Sequence, residues 1–180
     1  KLPAGAYKVK LIKAEEREFS GDKSALCIVF DIDGGEYDNY YHEKYENDKK
    51  SYDNAKYKGV IQLWYPNGGE YDKSSEKKMK TALKNIVESN NLNVDFTKEW
   101  DGAIFKGCTV GMIFREEEYD YNGHSGMVAK PFSIISLEDL KNGKFNLPKP
   151  KYLNGGNAPK SSATSSTDYD NIPLDEDLPF

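Results

Sequence analysis

The chain is poor in the residues that carry most metal, disulfide and acid–base chemistry. Its 180 residues include two cysteines, two histidines, two tryptophans and three methionines. Cys27 and Cys108 sit in apolar stretches, "ALCIVF" and "KGCTVGMIF", without the number or spacing of a disulfide framework or zinc site. Both read as buried thiols in a reducing compartment. His42 and His124 have no ligand partner at helical spacing, so no metal or other cofactor is expected. No apolar run approaches the roughly 18 residues of a membrane span, no Asn-X-Ser/Thr sequon occurs, and no signal sequence opens the chain. These absences point to a cytoplasmic protein with no membrane partner. "KGCTVG" lacks the Lys-Ser/Thr of a phosphate loop and serves better as a strand entrance.

What is present divides the chain in two. Residues 154–180 begin with "NGGNAPKSSATSST", a linker composition that cannot bury enough apolar surface to offset its ordering entropy. They end in "DYDNIPLDEDLPF", where Ile172, Leu174, Leu178 and Phe180 stand among prolines and acids with no helical or strand period. A disordered acidic tail is expected there, with hydrophobic residues that a pure solubility tail has no use for. The tail has one lysine against five acids, a net of -4, and the remaining residues have 24 bases against 25 acids, a net of -1. A body so close to neutral leaves room for a basic surface and a nucleic-acid partner.

Residues 1–153 have the length of one domain with a real core. "GAYKVKLIKAEERE" alternates Tyr7, Val9 and Leu11 with Lys8 and Lys10, the period of a strand with one wet face. "ALCIVFDID" is apolar on both parities and reads as a central, well-buried strand. "EYDNYYHEKY" reads as a third strand, with Tyr37, Tyr41 and Tyr45 on one face and Tyr40, His42 and Lys44 on the other. After the lysine-bearing loop "ENDKKSYDNAKYK", "GVIQLWY" resumes strand character. "SSEKKMKTALKNIVESNN" places Met79, Leu83, Ile86 and Val87 at helical spacing behind a serine cap, the only strong helix pattern. Two more strands follow, joined through Asn122-Gly123, a strong hairpin signal. The pattern predicts a mainly β domain: a five-stranded barrel of the oligonucleotide-binding (OB) type with one helix between strands 3 and 4. A β-sandwich with an appended helix is the second choice.

Catalytic signals are thin. Glu116, Glu117, Glu118 and Asp120 suggest a magnesium-dependent nuclease, but successive strand residues point to opposite faces and at most alternate members converge. Aromatic residues are more informative. Of thirteen tyrosines, nine (37, 40, 41, 45, 52, 57, 65, 71 and 119) lie between positions 37 and 119 with Trp64, interleaved with lysines. Rings beside cations suit a single-strand groove, in which bases stack and lysines follow phosphates. The residues expected to contact DNA are Tyr40, Tyr41, Lys44, Tyr45, Lys49, Lys50, Lys56, Tyr57, Lys58, Trp64, Arg115 and Lys130.

With these residues in view, "LPAGAYKVKLIKAE", "FDIDGGEYDNYY", "EEEYDYNG" and "KNGKFNLPKPK" resemble phage or mobile-element single-stranded-DNA-binding proteins of Gram-positive bacteria. The ending "NIPLDEDLPF" resembles the acidic tip of bacterial single-stranded-DNA-binding proteins. The resemblance implies non-enzymatic coating of single-stranded DNA during replication or recombination, in a bacterial or phage-infected cell. It also implies recruitment of replication, recombination or repair proteins through Asp175, Glu176, Asp177, Leu178, Pro179 and Phe180. Tetramer formation is not implied, and self-association is left open. The alternatives are a magnesium-dependent DNA-processing enzyme and a β-rich protein-interaction or carbohydrate-binding domain.

Overall fold

Five antiparallel strands, β1 (Gly5–Phe19), β2 (Lys23–Ile32), β3 (Val60–Trp64), β4 (Thr109–Tyr121) and β5 (His124–Ile135), form a sheet in the order β3-β2-β1-β4-β5. The computed structural model describes residues 1–66 and 72–154. Around the sheet lie α1 (Tyr40–Ser51), α2 (Asp72–Asn90), a 3-10 turn at Gly102–Phe105 and α3 (Leu137–Lys141).

β1 organises the sheet. Val9 and Leu11 are fully buried and Lys8 and Lys10 exposed, as their alternation predicts. Between Leu11 and Lys13 the register with β2 shifts, so the next buried side chain is Ala14 rather than an odd-numbered residue. The bulge lets one strand serve two neighbours. Gly5–Lys10 pair with β4, and from Val9 onward the strand pairs with β2. At the bend Leu11 N–H donates to the Cys108 carbonyl, and Gly107 N–H to the Leu11 carbonyl, both at 2.8 Å. β2 is buried from Ala25 to Ile32 on both faces, in keeping with its double parity, but the middle strand is β1.

The segment "EYDNYYHEKY" is not a strand. It forms a turn and the first half of α1. Spacing of four places Tyr37, Tyr41 and Tyr45 on one face of a strand and of a helix alike, so the pattern could not decide. A distant carboxylate decides it. Asn39, with φ 56°, offers no side-chain cap. Asp31, at the end of β2 and 5% exposed, accepts from Tyr41 N–H and His42 N–H at 2.8 Å each. It thereby satisfies two of the orphan amides of the first turn. The same carboxylate accepts from Ile32 N–H at 2.8 Å and from the Tyr57 hydroxyl at 3.0 Å.

α2 lies between β3 and β4 as predicted, though it starts at Asp72, ahead of the expected serine cap. Met79, Ala82, Leu83 and Ile86 form its buried stripe, and Val87 is half-buried. Asn122 and Gly123, with φ of 50° and 78°, make the two-residue turn that their sequence signals. The expected closed barrel is not formed. β3 and β5 are the two edges, and no ladder joins them among the described residues. α2 packs against β3, β4 and β5. After α3 the chain returns along β4 in a short parallel bridge between Lys151 and Glu117. Leu153 N–H donates to Glu118 Oε2 at 3.0 Å. Residues 155–180, with the proposed tail tip from Asp175 to Phe180, lie outside the described residues, as does Tyr71.

Candidate nucleic-acid interface

The residues expected to contact DNA separate into three places. The first is α1 and the loop after it. Tyr41 and Tyr57 are core residues, 5% and 3% exposed, and burial pushes both phenols far above the ordinary tyrosine range, with the Asp31 charge adding to the shift of Tyr57. Their rings support the sheet and are not available to a base. Tyr40 is half-buried and its hydroxyl accepts from Leu2 N–H at 3.3 Å. Tyr45 packs edge-on to Tyr57 at 5.8 Å and carries Lys49 Nζ 4.8 Å above its ring. The lysines of α1 are engaged along the helix: Lys44 with Asp48 at 3.2 Å, Lys49 with Glu46 at 2.8 Å, and Lys50 with the Asn47 side-chain carbonyl at 3.1 Å. Lys56 is half-buried and Lys58 exposed.

The second place is the outer face of β3. Leu63 points into the core, 1% exposed, so its neighbour Trp64 faces the other way. There Trp64 packs on Phe19, the last residue of β1, with ring centroids 5.0 Å apart. Both rings are half-buried. Lys23, paired in register with Phe19 across the β1–β2 turn, is exposed and makes no ion pair among the described residues. An aromatic pair with a cation beside it results. Strand alternation requires that one of Leu63 and Trp64 face outward, whereas nothing local marks Phe19 and Lys23, because the ring they flank lies on another strand.

The third place joins β4, β5 and α2. Arg115 stacks its guanidinium 4.6 Å from the Phe132 ring centre and bonds Glu117 at 2.5 Å. Lys130, opposite Arg115 in register, lies 3.9 Å from the same carboxylate. Lys78 of α2 reaches the Phe132 ring as well, at 5.1 Å. Loss of water around its ammonium, and then the Arg115 charge, lower its pKa from the ordinary lysine value, with Glu117 opposing. Lys78 and Phe132 were not singled out from the sequence, since the helix and the strand that bring them together are far apart in the chain.

The acids Glu116 to Asp120 do not gather. Glu117 is held by Arg115 and Lys130, while the Glu118 carboxylate takes the Leu153 amide. Among the described residues no group of three or more His, Cys, Asp or Glu is placed to hold a metal ion, and no helix is long and apolar enough to cross a membrane. Compared with protein-family models and with curated proteins, the chain matches none of them.

Proposed function

We propose that this chain binds single-stranded DNA without bond chemistry, using an OB-type domain for the strand and the acidic tip for protein partners. The observation that carries the reading is the Trp64–Phe19 pair. OB domains take oligonucleotides on the face of strands 2 and 3 beside the loop between strands 1 and 2. Trp64 lies on β3, Phe19 borders the β1–β2 turn, and Lys23 stands next to them. The connectivity supports the same reading: a bulged β1 is shared by β2 and β4, a helix falls between β3 and β4, and β3 and β5 are left as facing edges. We read this as an OB-type strand order in a sheet that does not close into a barrel. Stacking supplies affinity with little sequence preference, and counterion release adds a salt-dependent share.

The test is a titration of the intact chain with oligo-dT, duplex DNA and RNA of matched length. Single strands should quench tryptophan fluorescence and bind more tightly than duplex, and a Trp64→Leu variant should lose most of the quench. Absence of single-strand binding at low salt would overturn the reading. A partner-binding role for Asp175 to Phe180 rests on the sequence alone. Removal of Phe180 should abolish capture of replication or recombination proteins while leaving DNA affinity unchanged.

A further inference from the structure

The unpaired seam between β3 and β5 is a groove of 250 Å³ roofed by α2. Leu63 and Ile134 form its apolar floor; Thr81 and Ser133 bring hydroxyls, and Lys77 and Lys78 bring ammonium groups. We propose that this groove holds a phosphodiester unit of a bound single strand, the apolar floor taking the sugar or base and the lysines and hydroxyls the phosphate. The proposal rests on the single-strand reading above and adds a second binding point on a different surface.

Charge singles out the groove. Further along α2 lysines are neutralised at i,i+4, Lys80 with Glu76 and Lys84 with Glu88, while Lys73, one turn before Lys77, makes no ion pair among the described residues. Lys77 and Lys78 make no ion pair among the described residues. Ser74, Lys77, Lys78 and Thr81 follow the three-and-four spacing of one helical stripe, and that stripe faces the groove. Behind Lys78 stands Arg115, on the same Phe132 ring, and the Glu117 carboxylate bonded to Arg115 is the acid whose charge reaches Lys78. An anion entering here meets the ammonium groups of Lys77 and Lys78, and the one on Lys78 has already lost part of its water, the setting in which a charged interaction is strengthened.

Position supplies the path. Leu63 and Trp64 are consecutive on β3, one lining the groove and the other on the outer face, and among the described residues the free edge of β3 carries no neighbouring strand. A DNA strand stacked on Trp64 reaches the groove by turning around that edge. The pocket is sized for a nucleotide fragment rather than for a folded element. An acidic peptide, such as residues 168–180 of this chain, is the rival occupant, and the test separates the two.

The test compares the intact chain, a Lys77→Gln/Lys78→Gln variant and Trp64→Leu, each with a short oligo-dT of roughly 6 nucleotides and a long one of roughly 30. Both lysines are exposed, so the variant is expected to melt as the intact chain does. It should bind the long oligonucleotide about tenfold more weakly, with a salt slope flatter by about 0.7 for each phosphate no longer neutralised, while the short one and the tryptophan quench stay unchanged. A Lys77→Arg/Lys78→Arg variant should restore the slope. Unchanged affinity and slope for the long strand would overturn the groove while leaving the Trp64 face standing. If neither the intact chain nor any variant binds single strands, the groove falls together with the single-strand reading. If the lysine variant weakens binding only in the presence of residues 168–180, the groove belongs to the tail and not to DNA.

Discussion

The hydroxyl of Tyr57 donates to the carboxylate of Asp31 at 3.0 Å inside the core, and the same carboxylate caps the first turn of α1. The same hydroxyl lies 3.0 Å from the Phe30 carbonyl, which shares its one proton, so the loop after α1 and the helix start are fastened to one point at the end of β2. Asp31→Ala should strip partners from two helix amides and a buried phenol, each worth about 1 to 3 kcal/mol when left unsatisfied. Urea unfolding should show a loss of several kcal/mol, and far-UV circular dichroism a fall in helix content. Tyr57→Phe removes one hydroxyl and should cost about 1 kcal/mol.

A side chain at position 59 has nowhere to go. A Cβ on Gly59 would stand 2.3 Å from the Phe30 carbonyl oxygen, the backbone whose N–H donates to the Gly59 carbonyl at 2.9 Å. Gly59→Ala must separate the start of β3 from β2. A loss of about 3 kcal/mol or more is expected in thermal or denaturant unfolding.

Aromatic substitutions should divide into two classes. Phe19→Ala and Trp64→Ala should weaken single-strand binding by roughly 1 to 3 kcal/mol each, as loss of one stacked base does. Tyr41→Ala empties part of the core and should instead cost about 3 to 5 kcal/mol of stability. Paired melting curves and titrations of the three variants distinguish these outcomes. Equal affinity for Trp64→Ala and the intact chain would remove the outer face of β3 from the interface.

Burial pushes the Cys27 thiol from 9.0 up to about 11, with the Arg17 charge opposing and the Glu15 charge adding. A thiol reagent at pH 8 should therefore react far more slowly with the folded chain than after denaturation. The raised value also fixes the sign of a pH effect. The folded chain keeps this proton after the unfolded chain has lost it, so the stabilising contribution is complete below pH 9 and declines between pH 9 and about 11. Cys27→Ala should reduce that part of the decline in an alkaline unfolding series.

Legibility in the sequence followed how local the deciding interaction was. The alternation around Val9 and Leu11, the helical stripe of Met79, Leu83 and Ile86, and the Asn122-Gly123 turn depend on neighbours in the chain, and each is seen in the structure. The α1 segment went the other way because Asp31, ten residues upstream of Tyr41 and on another element, supplies its cap. The bulge in β1 hides in the same manner, since "LIKAEE" has no glycine to mark it. Of the candidate DNA-binding residues, Trp64 could be placed by its alternation with Leu63. Lys44, Lys49 and Lys50 could not, because their partners on α1 show only once the segment is known to be helical.

The double pairing of β1 also sets an order of assembly during synthesis. The β1–β2 hairpin can zip as soon as its turn at Gly21 and Asp22 leaves the ribosome, but Gly5 waits for Phe114 and Lys10 for Thr109, more than half the chain later. Until then the first half of β1 has an open edge, with Val9 and Leu11 uncovered by the strands and helix that bury them at the end. A nascent chain stalled before residue 109 should therefore be held by chaperones or aggregate, while one stalled well beyond residue 135 should already resist protease.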